Sequence, residues 1–413
     1  MTATDLDTTA DDDYDPFDAF NRKHGAGVVE NPYPDFVAMR RDTPVAELDL
    51  REMFGLADDE MPENAVWTVN TFDTVQAVLR DGEAFSSKGY EEVMGAVFGH
   101  SILEMDEPEH HTYRGLIQQA FTRKAMERWE RDVIEPAVHS LIDEFVDEGR
   151  ADLVKDLTFP FPFEVIADQL CLPEDDKPRF HRMATELISV NIDMERALGA
   201  SAALYEYFSK IIAERRKAPD QDLISVLARA ELDGQQLTDD EIIAFLRLLL
   251  SAGAETTYRS SSNLLYGLLT HPDQLEAVRD DRSLLPQAIE EGLRWEPPLL
   301  TIMRSPTRTV QLADKELHAG DTIVINIGSA NHDESRWENA DEFDIFRPQI
   351  PHIAFASGVH MCLGIHLARM ETTVVMNAVL DRLPELRLDP DAEAPYITGM
   401  VFRAPPALPV VFG

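Results

Sequence analysis

One of the two cysteines in this 413-residue chain lies in a loop that contains two glycines and leads directly into an amphipathic helix. The stretch reads Phe355-Ala-Ser-Gly-Val-His-Met-Cys-Leu-Gly-Ile-His-Leu-Ala-Arg369. Gly358 and Gly364 carry no Cβ, so the backbone can pass close to a flat, bulky group there. The apolar residues that follow recur at helical spacing, and they are Leu363, Leu367, Met370, Val374, Ala378 and Leu380. The pattern predicts a helix that begins just beyond the sulfur of Cys362.

A sulfur at the start of a helix is placed for metal binding. The helix N-terminus carries partial positive charge and free N–H donors, which lower the pKa of a nearby thiol. A thiolate in a water-poor pocket is a strong, soft ligand for iron, and we interpret Cys362 as the axial ligand of a haem. Two alternatives fit less well. A zinc site built on His360, Cys362 and His366 would need a fourth ligand at recognisable spacing. Covalent haem attachment needs Cys-x-x-Cys-His, which the chain lacks.

The same stretch resembles the cysteine-ligand loop of the cytochromes P450, the haem-thiolate monooxygenases, and most of the chain matches that family in order. The family loop reads Phe-Gly-x-Gly-x-His-x-Cys-x-Gly, which Phe355, Gly358, His360, Cys362 and Gly364 fit. The resemblance implies that haem b lies against this loop. Ala356 stands where the family usually has glycine, and we expect its methyl group to tighten the turn beside the sulfur. The other cysteine, Cys171 in an apolar run, is expected to be a buried packing residue.

A long apolar helix is expected over Thr238–Thr270, about 110 residues before Cys362. Its middle reads Ser251-Ala-Gly-Ala-Glu-Thr-Thr257. Ala252 and Gly253 are small enough for a bulky group to approach, while Thr256 and Thr257 can hydrogen-bond to preceding carbonyls and loosen the helix. By resemblance this is the oxygen-binding groove of the family, in which Thr256 positions dioxygen and its water and Glu255 supplies protons.

An acid and an arginine three residues apart, Glu291 and Arg294, share one face of a predicted helix. Such a pair is usually a weak surface ion pair. Followed by Trp295-Glu-Pro-Pro298, it resembles the Glu-x-x-Arg element of the family, in which the pair is buried and joined by a later arginine. Arg347 fits that third position. The resemblance implies a structural role behind the haem.

Haem carries two propionates, which require cations nearby. The resemblance assigns this role to His110 and Arg114, which lie four residues apart at a helix start, together with His360 and Arg304. Apolar residues at three places in the chain match the distal lining of the family and predict a pocket for a hydrophobic ligand, although each of them can equally be a core residue. These residues are Val93, Met94, Val97, Phe98, Leu299, Leu300, Ile302, Met303, Met400, Val401 and Phe402.

The periodicity of the whole chain predicts a mainly α protein with a small β region. This composite agrees with the P450 fold, in which a long central helix lies over the haem and the cysteine-ligand loop lies beneath it. Residues 1–16 are expected to be a disordered acidic tail, and residues 17–413 a single haem-thiolate monooxygenase domain. The other helices expected are Thr112–Phe121, Arg131–Glu148, Ala202–Lys217, Leu284–Trp295 and Leu363–Leu383, and the strands expected are Ala65–Val69, Arg308–Leu312 and Thr322–Asn326.

Charge and composition restrict the partners. With 37 basic and 76 acidic residues the formal net charge is −39, which argues against nucleic acid and anionic membranes. There is no run of about 18 apolar residues and no basic, apolar signal peptide at the start. Two cysteines suit a reducing cytoplasm, where we expect the protein to act.

Together these features predict a soluble, bacterial-type monooxygenase that hydroxylates a hydrophobic small molecule such as a terpenoid, steroid, fatty acid or aromatic compound with O2. The chain carries no flavin or iron–sulfur module, so the resemblance implies a ferredoxin and its reductase as electron donors. We expect the acidic ferredoxin to meet a basic patch of Arg114, Arg123, Lys124 and Arg369. Rival interpretations are a haem-binding sensor or carrier without turnover, a peroxide-using, dehydratase or reductase member of the same fold, and a zinc-stabilised helical protein. Glu255 and Thr256 favour the monooxygenase over the first two rivals.

Overall fold

The computed structural model describes residues 29, 31–48, 64–188 and 193–413. The acidic tail predicted for residues 1–16 lies outside this described part of the chain. The prediction of one domain over residues 17–413 stays a prediction.

Helices make up most of the described chain, in agreement with the predicted fold class. They are α1 Tyr33–Asp42, α2 Phe72–Arg80, α3 Gly89–Phe98, α4 Glu109–Gln118, α5 Arg123–Trp129, α6 Glu135–Phe145, α7 Pro160–Gln169, α8 Lys177–Leu187, α9 Met194–Lys217, α10 Leu223–Leu227, α11 Asp239–Leu249, α12 Glu255–Thr270, α13 Pro272–Asp280, α14 Leu285–Trp295, α15 Ile327–Asn331 and α16 Ile365–Arg382. Short π-helical segments cover Glu130–Ile134, Val154–Thr158 and Leu250–Ala254, and 3₁₀ turns cover Val146–Glu148, Glu174–Asp176 and Arg282–Leu284.

The β region is small. Its strands are β1 Val45–Glu47, β2 Val66–Val69, β3 Phe85–Ser86, β4 Arg150–Asp152, β5 Glu231–Leu232, β6 Gln235–Gln236, β7 Thr301–Pro306, β8 Val310–Leu312, β9 Lys315–Leu317, β10 Thr322–Asn326, β11 Arg387–Leu388 and β12 Pro409–Val411. The main sheet has five strands in the order β1-β2-β10-β7-β3. Among the strands that the structure describes, only β2 and β10 form a parallel pair, with Val66 opposite Thr322. A second sheet joins β11, β12 and β4, and two hairpins pair β5 with β6 and β8 with β9.

The predicted long helix is present but is interrupted in its middle. It begins at a capping box, in which the Thr238 hydroxyl accepts from the Glu241 N–H at 3.2 Å and the Glu241 carboxylate accepts from the Thr238 N–H at 2.7 Å. It then runs as α11, the π segment Leu250–Ala254 and α12. The π segment lies where Thr256 and Thr257 were expected to loosen the helix, and such segments are frequent at functional sites.

Two apolar cores hold these elements together. The larger core lies among the helices and includes Phe161, Phe208, Leu250, Leu265 and Val375. The smaller core lies under the five-stranded sheet, where Phe72 and Val75 of α2 meet Ile323, Ile325 and Trp337. The central helix and α16 pack in the larger core, so the residues flanking Cys362 and those of the π segment are held by the same apolar cluster. Within the described residues, every helix is either too short or too polar to pass through a membrane.

Candidate active site

Cys362 lies in a tight loop at the start of α16. Its backbone N–H donates to the carbonyl oxygen of Phe355 at 2.9 Å, which closes the loop, and α16 begins three residues later at Ile365, as predicted. Burial raises the pKa of the Cys362 thiol, while the backbone N–H of Gly364 and the charges of Arg114 and Arg369 lower it. The helix start therefore lowers the pKa of this thiol as expected, but in the protein alone burial outweighs the Gly364 donor and the two cations, so the net pKa is raised.

Glycine is favoured at the two loop positions for different reasons. Gly358 has φ +76°, and a Cβ on it would overlap the carbonyl oxygen of Leu79 at the end of α2. No other residue type fits there without moving α2. Gly364 has an ordinary φ of −84°, and a Cβ on it would approach only the sulfur of Cys362, at 4.0 Å. Gly364 therefore leaves space beside the sulfur and has no strained backbone.

Four cationic or potentially cationic side chains converge beside this loop: His110 and Arg114 of α4, Arg304 of β7 and His360. The rings of His110 and His360 are 4.2 Å apart, and Arg114 Nη2 donates to the carbonyl oxygen of Met361 at 2.7 Å. Burial, followed by the positive charges of Arg304, His110 and Arg114, lowers the pKa of His360 to about 3. His110 is buried, and its Nε2 has no hydrogen-bond partner among the described residues. The cluster is short of negative charge, since neither arginine has an ion pair with a described carboxylate.

The middle of the central helix presents an acid and a hydroxyl next to each other. The Thr256 hydroxyl donates to the carbonyl oxygen of Ala252 at 2.7 Å, the bond to a preceding carbonyl that was expected of this threonine. Glu255 is buried, with its carboxylate 3.6 Å from Nε of Arg259. Ala252 is exposed, although it lies in the middle of the helix. The exposed face of this helix therefore carries the small apolar side chain of Ala252, and the Thr256 hydroxyl lies one turn further along.

Two expectations for this helix are wrong. A Cβ on Gly253 would meet Leu249 and, at 3.5 Å, Ile166 of α7, so Gly253 allows close packing of α7 and does not face the open side. Thr257 does not hydrogen-bond to a preceding carbonyl. Its hydroxyl donates to the carboxylate of Glu371 at 3.3 Å.

Glu371 is a titratable residue that the sequence reasoning missed. It lies in α16 and is fully buried, and burial raises its pKa to about 8, with the Thr257 hydrogen bond acting in the opposite direction. It therefore joins α16 to the central helix as a largely neutral acid near pH 7. The signal was available, because Glu371 falls on the apolar stripe between Leu367 and Val374. An acid on such a stripe is either paired or neutral.

Glu291, Arg294 and Arg347 meet in the arrangement that the sequence predicted. Glu291 accepts two hydrogen bonds from Arg294, each 2.8 Å long, and a third of 3.1 Å from Arg347 Nε. Glu291 and Arg294 are 4% and 2% exposed. The two guanidinium groups also donate to backbone carbonyls of residues 331–342, so the triad fixes the segment that leads into the cysteine loop.

Comparison with known proteins identifies the family. A family model described as Cytochrome P450 matches residues 186–407. The cytochrome P450 monooxygenase PikC of Streptomyces venezuelae is 34% identical over 94% of this chain and 92% of its own length. The chain belongs to the cytochrome P450 family. The steroid C26-monooxygenase of Mycolicibacterium smegmatis is 36% identical over 84% of the chain and 88% of its own length. The crystal structure of CYP109E1 from Bacillus megaterium in complex with testosterone has a TM-score of 0.83, with 34% identity over 93% of this chain and 99% of that one.

As a cytochrome P450 monooxygenase the protein is an oxidoreductase, and members of its family bind haem b. The residues of this chain fit that cofactor. A thiol lies in a loop with space beside it, and a cation cluster with an unpartnered buried His110 nitrogen lies next to it. The zinc alternative has no such fit, since no group of three metal-ligating side chains occurs in the described ranges.

The residues predicted to line the substrate pocket of this P450 fall into two groups. Val97, Phe98 and Leu300 are almost fully buried. The others are partly exposed, namely Met94, Leu299, Ile302, Met303, Met400, Val401 and Phe402. The side chain of Val93 lies outside the described part of the chain. The partly exposed group comes from α3, from β7 and the bridge that Leu299 forms with Phe402, and from the C-terminal segment.

The remaining surface expectations need correction. Cys171 is exposed, in a turn after α7 with φ +50°, so it is not a buried packing residue. Within the expected basic patch, Arg123 pairs with Glu127 at 2.8 Å and Arg369 pairs with Glu290 at 2.6 Å. These ion pairs remove much of the positive charge that the sequence predicted there.

Ala356 offers a test of strain in the cysteine loop. It has φ +59°, a left-handed conformation in which the Cβ of an alanine is strained. We expect Ala356→Gly to raise the free energy of unfolding by about 1 kcal/mol, as measured by denaturant titration. The control is Ala354→Gly in the same loop, where φ is not positive, which should lower stability by about 0.5–1 kcal/mol. Equal effects of the two substitutions would show that Ala356 is not strained.

Proposed function

We propose that this P450 hydroxylates a hydrophobic small molecule with one oxygen atom from O2, and that Cys362 is the axial ligand of its haem b. The convergence of His110, Arg114, Arg304 and His360 beside the Cys362 loop carries the proposal. Arg114 and Arg304 have no ion pair with a described carboxylate, and His110 contacts only one, that of Glu107, at 3.4 Å. Such a cluster is suited to a ligand with two carboxylates, and the propionates of haem are such a pair. Phe355 and Gly364 would flank the cofactor, and Glu291, Arg294 and Arg347 would hold the segment behind it.

The chemistry divides between cofactor and protein. Haem with a thiolate ligand supplies oxygen activation when bound. The chain contributes a thiol positioned by the Phe355 carbonyl and the Gly364 N–H, a cation cluster that orients the cofactor, and a proton path. We assign Thr256 to the positioning of dioxygen and its water, because its hydroxyl is held by Ala252 on the exposed side of the helix. Glu255, buried beside it, supplies protons.

The proposals for the substrate, the electron donor and the cellular location rest on less specific observations than the proposal for the haem ligand. A partly exposed set of apolar side chains supports a hydrophobic substrate, and the similar proteins include a steroid C26-monooxygenase and CYP109E1 in complex with testosterone. Terpenoid, fatty acid and aromatic substrates fit the same set.

Members of the family use redox partners, and we propose a ferredoxin and its reductase. The exposed residues beside Cys362 include the apolar Val359 and Met361, which would contribute to docking along with Lys124. The small number of cysteines supports a cytoplasmic location.

The test is turnover with labelled oxygen. Compounds that shift the spectrum of the ferric holoenzyme are selected from a hydrophobic library and incubated with a ferredoxin, its reductase, NAD(P)H and ¹⁸O₂. We expect a product that carries one labelled oxygen atom. Binding without any product would support the sensor or carrier alternative. Product formed from hydrogen peroxide but not from O2 with electrons would support the peroxide-using alternative.

Thr256 provides the matching variant. In Thr256→Ala we expect NAD(P)H consumption to continue while product per NAD(P)H falls about tenfold or more, because protons are no longer delivered in order. Thr270→Ala is the control, since Thr270 lies in the same helix and makes the same hydrogen bond to the carbonyl four residues back, at 2.8 Å. Unchanged coupling in Thr256→Ala would contradict the role assigned to this hydroxyl.

A further inference from the structure

Arg247 is a buried charge that has no ion pair with a carboxylate of the described residues. It lies in α11 and is 8% exposed, at the place where α11 meets α3 and α9. Its Nη2 donates to the carbonyl oxygen of Ser201 in α9 at 2.6 Å, and its guanidinium carbon lies 5.4 Å from the ring centre of Tyr205. Its Nε–H is buried and has no hydrogen-bond partner among the described residues. Burial lowers the pKa of Arg247.

Comparison with the other buried arginines shows that this is unusual in the molecule. Among the described residues six arginines are buried. Four have a carboxylate at 2.7–3.6 Å, and these pairs are Arg40–Glu334, Arg259–Glu255, Arg294–Glu291 and Arg403–Glu296. The two without such a pair in that part of the chain are Arg304 and Arg247. Arg304 belongs to the cation cluster assigned to the haem propionates, so its anion comes with the cofactor.

The acidity of the chain strengthens this comparison. With 76 acidic residues against 37 basic ones, carboxylates are plentiful. Asp240 interacts electrostatically with Arg247, and its carboxylate accepts a hydrogen bond of 2.6 Å from the Tyr205 hydroxyl. A buried charge is costly unless it is paired. By analogy with Arg304, the missing anion of Arg247 would come with a ligand.

The location of Arg247 indicates which ligand. The Ser201 hydroxyl donates to the carbonyl oxygen of Val97 at 2.6 Å, which ties α9 to the end of α3, the helix that carries predicted pocket residues. A Cβ on Gly99, just after that helix, would lie 3.8 Å from Nη1 of Arg247. Arg247 precedes Thr256 by nine residues in the central helix, which corresponds to about 13 Å at the helical rise. Arg247 therefore lies beside the end of α3, about 13 Å along the helix axis from Thr256.

We propose that Arg247 binds the carboxylate of an amphipathic substrate, a molecule with an apolar body and one terminal carboxylate. The inference rests on the proposed monooxygenase function and narrows its substrate class from hydrophobic molecules in general to monocarboxylates. The carboxylate would accept hydrogen bonds from Nε–H and Nη1 of Arg247, and the apolar body would extend along the central helix towards Thr256. Oxidation would then fall on carbons far from the carboxyl group.

The test is a spectral titration of the ferric holoenzyme at pH 7.5 with dodecanoic and hexadecanoic acids and with their methyl esters. We expect the acids to bind at least tenfold more tightly than the esters, as a charge-assisted hydrogen bond implies. In Arg247→Met the affinity for the acids should fall at least tenfold while that for the esters is unchanged, and Arg247→Lys should retain part of the preference. Arg196→Met, which removes a partly exposed charge from α9, should leave the preference intact.

The outcomes separate this inference from the proposed function. If the reduced wild-type protein with carbon monoxide does not show the spectrum typical of a thiolate-ligated haem, the proposed function is refuted. If the spectrum is normal but acids and esters bind equally tightly, the carboxylate site is refuted and the proposed function is not. The same holds if Arg247→Met loses affinity for acids and esters to the same extent. If Arg247→Met does not fold, the test depends on the wild-type protein and on Arg247→Lys. Tighter binding of acids than of esters in the wild type, and a smaller difference in Arg247→Lys, would support the carboxylate site. An unchanged difference in Arg247→Lys would count against it.

Discussion

Replacement of Cys362 by serine is expected to abolish monooxygenase activity and the red-shifted Soret absorbance that the reduced wild-type protein shows with carbon monoxide. The reason is electronic, because a serine hydroxyl is a much poorer donor to iron than a thiolate, and the thiolate favours O–O cleavage. The substitution is small, and the hydrogen bond from the backbone N–H at this position to Phe355 does not depend on the side chain. The measurements are the absorbance spectrum of the reduced protein with carbon monoxide and the product formed per enzyme. Activity should fall below detection.

The matched control is Cys171→Ser. Cys171 is the other cysteine of the chain and is exposed in a turn after α7, so its replacement should change neither the spectrum nor the activity. If the red-shifted absorbance survived in Cys362→Ser and disappeared in Cys171→Ser, the assignment of the iron ligand would be wrong. A spectrum lost in both variants would indicate general damage, which circular dichroism would detect.

Local patterns were sufficient for the parts of the site that depend on neighbours in sequence. The helix after Cys362, the Glu291–Arg294 pair and the loosened middle of the central helix all follow from spacing and residue type. Cys362 N–H reaches Phe355 and Thr256 reaches Ala252 within a few residues, so short-range rules apply to them. Comparison with the family pattern supplied Arg347, which is distant in sequence.

Features that depend on which face packs against which neighbour could not be predicted in this way. Gly253 was expected to face a cofactor and instead faces Ile166, because helix rotation is set by tertiary packing. The apolar run before Cys171 ends in an exposed turn, so periodicity overestimated its burial. The burial of Arg247 could not be predicted from the sequence, because an arginine in a helix is ordinarily solvated. Its significance appears only when its environment is compared with those of the other buried arginines.

The pKa of Cys362 shows the same limitation in energetic terms. A helix start favours the anion by a modest, local contribution that falls off within the first turn. Burial opposes the anion by an amount that depends on every element packed around the sulfur, and here it is the larger effect. Sequence reasoning recognises the first contribution and has no access to the second.

Loss of the Glu291 carboxylate is expected to be the most damaging single change to stability outside the cysteine loop. In Glu291→Ala the guanidinium group of Arg294, 2% exposed, would remain buried without its carboxylate. Removing one partner of a buried ion pair costs on the order of 3–5 kcal/mol. Arg347 and the backbone N–H of Asp344, which also bind Glu291, would lose their acceptor. The free energy of unfolding from denaturant titration, together with the haem content of the purified protein, measures the effect.

Glu276→Ala is the control, because Glu276 and Arg279 form a pair of the same residue types at the same spacing on the surface of α13. Their atoms are 3.1 Å apart, and the Glu276 side chain is 59% exposed. An exposed pair contributes at most about 0.5 kcal/mol, so this variant should keep nearly the wild-type stability. The comparison separates a buried carboxylate with several partners from an exposed carboxylate with one partner at the same spacing. If both variants lost similar amounts, the triad around Glu291 would act as an ordinary surface ion pair, and its proposed role in holding the segment behind the haem would be refuted.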